Sequence, residues 1–241
     1  MPSVTPYVTY TIVGVTVLVY LLQLLTQQLG IVRTVNDVPL ELLVAYGGKI
    51  NNAIRAGELW RLITPVLLHA SVPHIAFNMY ALFAFGAGLE RSFGHWRFLV
   101  LYVLGGFAGN VLSFLLSPGV SVGASTAVFG LVAAEGIFLY QNRALFGNQF
   151  RRAITNVIFV VAINLALGLT PGIDNWGHVG GLLGGLIFTL FAGPIWQVVQ
   201  APGSLEIRDK REMRDTITGA AVVVIVFGAL AIWGMLAPFT K

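Results

Sequence analysis

The chain has 241 residues, of which 56% are hydrophobic and only 10% are charged, and its mean hydropathy is +0.82. Soluble domains carry roughly 25% charged residues, so this composition excludes a soluble globule. The formal net charge of +4, from 14 basic and 10 acidic residues, is too small to indicate a nucleic-acid binder. The absence of cysteine excludes disulfides, thiolate nucleophiles and Cys-ligated metals. The composition therefore predicts a polytopic helical membrane protein.

Seven apolar stretches of about 20 residues are long enough to cross the hydrocarbon core of a bilayer as helices. They are Tyr7–Leu29, Leu67–Leu89, Phe98–Leu116, Ser125–Tyr140, Ala153–Leu169, Gly177–Val199 and Ile217–Leu236. The first stretch is not expected to be a cleaved signal peptide, because it lacks a basic segment before it and an Ala-x-Ala exit after it. The predicted fold class is all-α, a bundle of membrane-spanning helices.

Basic residues between the spans predict the orientation of the chain. Nine of them fall in the even-numbered connections: Arg91, Arg97, Arg143, Arg151, Arg152, Arg208, Lys210, Arg211 and Arg214. Five fall in the first connection or at the tail: Arg33, Lys49, Arg55, Arg61 and Lys241. This bias favours a cytoplasmic N-terminus and a C-terminus on the outside.

The first connection, about residues 30–65, is too apolar to be a free loop. Its apolar residues alternate with charged ones, a pattern typical of short amphipathic helices that lie in the membrane interface. Trp60 and Arg61 are expected to anchor these helices there, the arginine by snorkelling. Near the other end of the chain, Arg208–Asp215 is predicted to be a solvated cytoplasmic linker.

Polar side chains inside the spans are informative because each is costly in lipid unless it is paired. His74 and Asn78 are four residues apart at the start of the second span, so they project from one helix face; helix–helix hydrogen bonding would explain either one alone. Ser125 begins the fourth span after a segment that contains Gly123. Free N–H groups at a helix start suit an oxyanion, although serine is also a common N-cap and packing residue.

His178 lies near the start of the sixth span, among glycines four residues apart that allow close packing on a neighbouring helix. The predicted topology places it at the same outer level as Ser125, and His74 and Asn78 start from that level too. A serine and a histidine at matching depth can act as nucleophile and general base. The coincidence of the four residues favours catalysis over packing.

Two acidic residues are not expected to join this site. Glu135 is ten residues beyond Ser125, hence ~15 Å deeper, and it is interpreted as a protonated or hydrogen-bonded structural group, with a proton pathway as the alternative. Asp174 precedes His178 by four residues and is interpreted as a loop or capping residue rather than a triad member. Without His-Glu-x-x-His, a P-loop or G-x-G-x-x-G, the sequence predicts no metal and no cofactor.

The order of these motifs resembles the rhomboid family of intramembrane serine proteases, over roughly residues 7–199. The motifs are Trp60-Arg61, His69…His74…Asn78, Glu90-Arg-Ser-Phe-Gly94, Gly123-Ala-Ser125 and His178-Val-Gly-Gly181-Leu-Leu-Gly-Gly185. The resemblance implies a six-helix catalytic core over residues 1–200. The remaining residues 201–241 are predicted to form a cytoplasmic linker and a seventh transmembrane helix. The resemblance also implies a water-filled cavity open to the outside, bordered by the first loop and by the loop around Thr170–Asn175.

The resemblance also implies a role for each matching residue. Ser125 would be the nucleophile and His178 the general base. The main-chain N–H of Ser125, with the side chains of Asn78 and His74, would stabilise the oxyanion, and Gly123 would leave room for the substrate backbone. Structural or packing roles near the site would fall to Phe129, Trp60, Arg61, Gly181 and Gly185.

Two positions depart from the family pattern. Thr126 follows the serine where the family more often has glycine, and its side chain is expected to narrow a substrate pocket or to change helix packing. Gly177 replaces the usual alanine before His178, which permits a closer approach of the helices. Neither change removes a catalytic atom.

The predicted function is a serine endopeptidase of the cell membrane that cleaves transmembrane or juxtamembrane segments of other membrane proteins. Its expected partners are those substrates and the lipid bilayer, with no nucleic acid. The main alternative is a non-enzymatic relative that binds client transmembrane helices on the same scaffold. A small transporter that uses His74, Asn78 and Glu135 as a polar path is more distant, because no inverted repeat with broken helices is found.

Overall fold

The computed structural model describes residues 4–30, 39–201 and 204–236. Its helices are α1 (Tyr7–Gln28), α2 (Pro39–Ala45), α3 (Asn51–Arg55), α4 (Val72–Ala81), α5 (Ala87–Phe93), α6 (His95–Leu116), α7 (Ser125–Gln141), α8 (Arg143–Phe146), α9 (Gln149–Leu167), α10 (Asn175–Ala192) and α11 (Met213–Leu236). Two 3₁₀ turns, Leu59–Leu62 and Thr64–Leu67, precede α4. One antiparallel hairpin pairs β1 (Trp196–Ala201) with β2 (Ser204–Asp209). Residues 31–38 of the predicted first loop, together with Lys241, lie outside the described residues.

Among the described residues, five helices are long and apolar enough to cross a membrane: Tyr7–Gln28, Val72–Phe93, His95–Leu116, Gln149–Leu167 and Met213–Leu236. In Val72–Phe93, a π-helical turn over Leu82–Gly86 links α4 to α5 without a break. The predicted fourth span corresponds to α7, which is a shorter apolar helix. The protein is therefore a mostly helical multi-pass membrane protein, and the total of seven spans stays a prediction.

The predicted boundary of the sixth span is wrong at its C-terminal end. The span was expected to run over Gly177–Val199, but α10 ends at Ala192. Gly193 and Pro194 follow, and a proline cannot continue the helical hydrogen bonding. The apolar residues beyond them form β1, so they lengthen a hairpin rather than a span.

The predicted linker Arg208–Asp215 consists partly of regular secondary structure. It contains the end of β2 and the start of α11. Arg97 of α6 forms an ion pair with Asp209, and its guanidinium also donates to the carbonyl oxygen of Arg211 at 2.9 Å and to Thr216 Oγ1 at 3.1 Å. These contacts fasten the hairpin and the first turn of α11 to α6.

The centre of the bundle is formed by α6, α7 and α10, which pack on one another along their lengths. The last helix, α11, packs against both α6 and α10 and contributes Val223, Phe227 and Ala231 to the same buried cluster. By contrast, α9 packs mainly on α7, and Val157 is the one residue of α9 that is buried. The bundle is therefore tight on the α11 side and open on the α9 side.

The N-terminus of α1 is held by Glu90. The two carboxylate oxygens accept hydrogen bonds from the main-chain N–H groups of Val8 and Thr9 at 2.8 and 2.7 Å, and the Thr9 hydroxyl donates at 2.6 Å. A helix start offers unpaired N–H groups and a positive dipole end, so the carboxylate stabilises it. This contact gives a structural purpose to the glutamate of the Glu90-Arg-Ser-Phe-Gly94 motif.

Candidate active site

Ser125 and His178 lie at the starts of two helices in the centre of the bundle. Ser125 is the first residue of α7, and His178 lies in the first turn of α10. Ser125 Oγ lies 3.1 Å from His178 Nε2, within hydrogen-bonding range. A neutral imidazole that carries its proton on Nδ1 accepts the serine hydroxyl at Nε2. The pair has the geometry required of a nucleophile and its base.

The imidazole of His178 is held by packing rather than by a carboxylate. Phe129, one turn below Ser125, stacks on it with ring centroids 4.2 Å apart and an interplanar angle of 11°. Among the described residues, no hydrogen-bond partner reaches the buried Nδ1 of His178. The ring orientation therefore depends on its aromatic neighbour and on the position of α10.

Glycines on α10 allow that helix to touch α7. Gly181 and Gly185 both face α7, and a Cβ added to Gly185 would lie only 2.1 Å from the carbonyl oxygen of Gly130. Real side chains never approach so closely, so glycine is required for this helix–helix distance. Both glycines act on the site by bringing the helix of His178 within reach of Ser125.

The segment before Ser125 needs glycine at position 123. Gly123 has a φ of +125°, a conformation that other residues rarely adopt. An added Cβ would also lie 2.7 Å from His74 Nε2. The Gly123 N–H donates to the carbonyl oxygen of Pro65 at 2.9 Å, so the chain turns tightly into α7 beside His74.

The two residues assigned to the oxyanion differ in their placement. His74 lines the same cavity as Ser125 and His178. Asn78 is buried one turn further along α4, and its amide donates to the carbonyl oxygen of His74 at 2.9 Å. The described residues that line the cavity do not include Asn78. Because Ser125 is the first residue of α7, its main-chain N–H has no carbonyl acceptor within the helix.

The cavity around the serine has a volume of about 380 Å³. Its walls come from Leu40 and Leu43 of α2, from the start of α4, from the segment before α7 and from residues 172–174. The first loop and the loop before α10 therefore border the site, as the resemblance implies. Among the described residues, no group of three histidine, cysteine or acidic side chains could hold a metal ion.

The side chain of Thr126 lies at both places where an effect was expected, the cavity and the contact between helices. It lines the cavity, and it also fills the seam between α6 and α10. A Cβ on Gly109 would lie 2.5 Å from Thr126 Cβ, and one on Gly177 would lie 3.1 Å from Thr126 Cγ2. The threonine is therefore accommodated because glycine stands opposite it on both neighbouring helices.

Asp174 caps α10 and does not contact His178 Nδ1. One carboxylate oxygen accepts the N–H of Gly177 at 3.1 Å, and the other accepts the hydroxyl of Ser113 on α6. The residue is thus the N-cap of the helix that carries His178. This placement agrees with its interpretation as a capping residue.

Lys49 is a structural residue that the sequence reasoning missed. It was counted as a charge in a connection, but its side chain is fully buried. Nζ donates to the carbonyl oxygens of Ser117 and Gly119 at 2.8 and 2.7 Å, and its main chain pairs with Ser121. Burial lowers the pKa of the ammonium group to about 8, although the charge of Asp174 acts in the opposite direction. Lys49 therefore clamps the segment that leads into Ser125.

His69 is the second residue that received no role from the sequence. The main-chain N–H of Ala124, next to Ser125, donates to His69 Nε2 at 3.4 Å. The main chain of His69 is in turn joined to the Gln23 amide of α1. In the sequence, the His69…His74 motif was the one feature that could have indicated a role for His69 in positioning the serine.

The expectation that Arg61 snorkels to the membrane surface is wrong. Its side chain is only 8% exposed, and Nη1 donates to the carbonyl oxygens of Val44 and Gly48 at 2.9 and 2.8 Å. It also forms an ion pair with Glu58 at 2.6 Å. Trp60, by contrast, is 55% exposed. Arg61 satisfies carbonyl groups inside the first loop, so it holds that loop together next to Lys49.

Comparisons with known proteins agree with these motifs. The family model described as the Rhomboid domain matches residues 56–195, which is more than half of the chain. Rhomboid protease GluP of Bacillus subtilis (strain 168) is 45% identical over 146 residues, which cover 60% of this chain and 28% of that protein. RHOMBOID-like protein 2 and RHOMBOID-like protein 5 of Arabidopsis thaliana are 37% and 34% identical, over 70% and 78% of this chain.

The chain spans 55% and 62% of the length of those two plant relatives and a smaller share of the bacterial one. The bacterial relative is named as a rhomboid protease. The matched region contains the helices that carry Ser125 and His178. On the motifs, the helical fold and the match over residues 56–195, the chain belongs to the rhomboid family.

Proposed function

We propose that the protein is an intramembrane serine endopeptidase that cleaves transmembrane or juxtamembrane segments of other membrane proteins. The observation that carries this proposal is the 3.1 Å contact between Ser125 Oγ and His178 Nε2, inside a cavity of about 380 Å³. Family membership and a relative named as a protease support the same activity.

In the proposed first step, Ser125 Oγ attacks the carbonyl carbon of the scissile peptide bond. His178 Nε2 accepts the hydroxyl proton as the bond forms, and then gives it to the leaving amine nitrogen. The developing oxyanion is stabilised by the Ser125 main-chain N–H and by the His74 imidazole, which faces the cavity. Asn78 would join them after its amide turns away from the carbonyl oxygen of His74.

In the second step, a water molecule attacks the acyl group on Ser125. His178 accepts a proton from that water, and the collapse of the second tetrahedral intermediate returns the proton to Ser125 Oγ. The reaction needs no cofactor, and its water must come from the cavity. Because no carboxylate contacts Nδ1 among the described residues, stacking on Phe129 and the capped start of α10 keep the imidazole oriented.

The proposal includes the arrangement of the protein in its membrane. The N-terminus lies in the cytoplasm and the cavity opens to the outside of a cell membrane, as the distribution of basic residues favours. Residues 1–200 form the catalytic core, and residues 201–241 add the seventh transmembrane helix. The packing of α11 on α6 and α10 supports a close association of these two parts.

Covalent labelling with a fluorophosphonate tests the proposal, because the reagent reacts with activated serines. We expect Ser125 to be labelled in the wild type, with labelling and cleavage of a transmembrane reporter both lost in Ser125→Ala and His178→Ala. The control is Ser92→Ala, which removes a hydroxyl that donates within its own helix to Gly88. Labelling that survives Ser125→Ala would exclude the mechanism, and a wild type without labelling or cleavage would favour the non-enzymatic alternative.

A further inference from the structure

A second cavity, of about 190 Å³, lies between α7, α9 and the continuous helix Val72–Phe93. Glu135 of α7 and Asn156 of α9 line it, together with apolar and small residues. Glu135 is ten residues after Ser125, so it lies ~15 Å further along α7. The mechanism proposed above uses neither of these polar side chains.

The carboxyl group of Glu135 has no partner in this cavity. Within residues 4–30, 39–201 and 204–236, no hydrogen bond or ion pair reaches it. An acidic group at membrane depth is costly unless it is paired. The chain therefore holds an acceptor inside the membrane that its own described residues leave unsatisfied, in a cavity that Asn156 also lines.

The cavity is accessible from one side of the bundle. In the described structure α9 packs on α7 and makes little contact with Val72–Phe93. Ala84 and Gly88 are exposed on that helix and line the cavity, and a Cβ added to Gly88 would meet no atom within 4 Å. Small residues four apart allow another helix to approach closely. Another transmembrane helix can therefore pack on Ala84 and Gly88 and extend a side chain into the cavity that Glu135 lines.

We propose that Glu135 receives the side chain of a lysine or arginine carried by the transmembrane helix of a substrate. This inference rests on the proposed function and narrows its substrate class. A cation is the fitting partner because opposite charges attract strongly where the local dielectric is low. The same pairing offsets the cost of carrying a lysine or arginine at membrane depth, so substrates with such a residue gain most from this cavity.

The depth of Glu135 fixes where the basic residue should stand in the substrate. A distance of ~15 Å corresponds to about five residues of extended chain or about ten residues of helix. The basic residue is therefore expected about five to ten positions after the scissile bond. Asn156 lines the same cavity, and its amide oxygen can accept a further hydrogen bond from the same side chain.

A matched pair of reporter substrates tests the inference through cleavage. One reporter has an all-leucine segment after the scissile bond, and in the others a single lysine replaces leucine at each position from five to ten. We expect one or two lysine positions to raise the cleavage rate about fivefold to tenfold. Glu135→Gln should remove this advantage and leave the leucine reporter within twofold of wild type. The control Glu206→Gln changes an exposed acid of the hairpin and should preserve the advantage.

Cross-linking tests the same contact without catalysis. The sequence contains no cysteine, so Ala84→Cys in the Ser125→Ala background provides a unique thiol at the cavity. Transmembrane peptides with one cysteine beside a lysine, or beside a leucine at the same position, are the probes. The lysine peptide should form the disulfide more efficiently, and Glu135→Gln should abolish the difference.

The possible failures of the two proposals are distinguishable. Equal cleavage and equal cross-linking of lysine and leucine probes, or a lysine advantage that survives Glu135→Gln, would overturn the inference about Glu135. An equal loss on both probes in Glu135→Gln, with fluorophosphonate labelling retained, would also overturn it and would indicate a lipid or structural role for the carboxyl group. A lack of labelling at Ser125 in the wild type would instead contradict the proposed protease activity.

Discussion

The carbonyl oxygen of Thr126 lies so close to Gly181 that an added Cβ would sit 2.0 Å from it. This contact joins the residue after Ser125 to the helix turn that follows His178. The separation of the serine and histidine side chains therefore depends on a main-chain contact between α7 and α10. A change at position 181 should alter the site without touching either side chain.

Gly181→Ala tests this dependence. The added methyl group must push α10 away from α7, and overpacking of this kind costs about 1–3 kcal/mol. We expect a lower thermal midpoint in detergent and a rate of fluorophosphonate labelling reduced by at least tenfold. Gly228→Ala is the matched control, because nothing lies within 4 Å of a Cβ at that position of α11. Equal behaviour of the two variants would show that the close contact is not needed.

Phe129→Leu tests the stacked ring on His178. Leucine keeps an apolar side chain but removes the aromatic face that lies 4.2 Å from the imidazole centroid. Labelling and reporter cleavage should fall about tenfold, with a loss of stability of at most about 1.5 kcal/mol. Phe83→Leu, at a ring that is 55% exposed, is the control and should retain full activity. Wild-type activity of Phe129→Leu would rule out an orienting role for the ring.

Thr126→Val tests the buried hydroxyl of the seam. Among the described residues, Thr126 Oγ1 is buried without a hydrogen-bond partner, and an unsatisfied buried group costs about 1–3 kcal/mol. Valine keeps the shape and removes that cost, so the unfolding free energy should rise by about 1 kcal/mol. Thr126→Gly should instead lower it, because a gap would open between Gly109 and Gly177. A decrease for valine would imply that the hydroxyl has a partner after all.

Lys49 gives a prediction for the dependence of stability on pH. Burial lowers its pKa from 10.5 to about 8 in the folded protein, so between these values the unfolded chain binds more protons than the folded chain. Stability should therefore rise as the pH increases through this window, by at most about 3 kcal/mol from this group.

The measurement for Lys49 is the difference in thermal midpoint between wild type and Lys49→Met at each pH. Because other groups titrate in both proteins, the difference isolates the lysine. It should be constant up to pH 7 and should then move in favour of the wild type up to pH 10. A difference that does not change over this range would contradict the lowered pKa.

The helices were predictable from sequence where apolar length alone decides the outcome. Apart from the sixth span, each of the predicted spans corresponds to a helix whose ends differ slightly from the prediction. The ends differ because the polar residues between apolar stretches mark a helix end only approximately. The predicted C-terminal end of the sixth span, Val199, was wrong because the residues after Pro194 are apolar enough for a membrane helix. They form a strand of the hairpin instead. The π-helical turn at Leu82–Gly86 leaves no mark that composition or periodicity could reveal.

The site was predictable to the extent that the depth of a residue in the membrane determines which side chains can come into contact. Ser125 and His178 could be placed at one level from the order of the spans, and the motifs supplied their pairing. The positions of Lys49 and Arg61 could not be foreseen, because a charged side chain between two spans normally lies in water. Here each of the two side chains instead donates hydrogen bonds to main-chain carbonyl oxygens inside the protein. The turn of the Asn78 amide towards His74 likewise depends on local geometry that spacing does not contain.

The packing of α11 has a consequence for how a substrate can meet the protein. This helix covers α6 and α10 on one side of the bundle, and the hydrogen bond from Arg97 to Thr216 Oγ1 holds its first turn in place. A membrane protein diffusing in the plane of the bilayer would then collide with a closed wall along α11. Productive encounters would come from a face that α11 does not cover, such as that of α9, which packs mainly on α7.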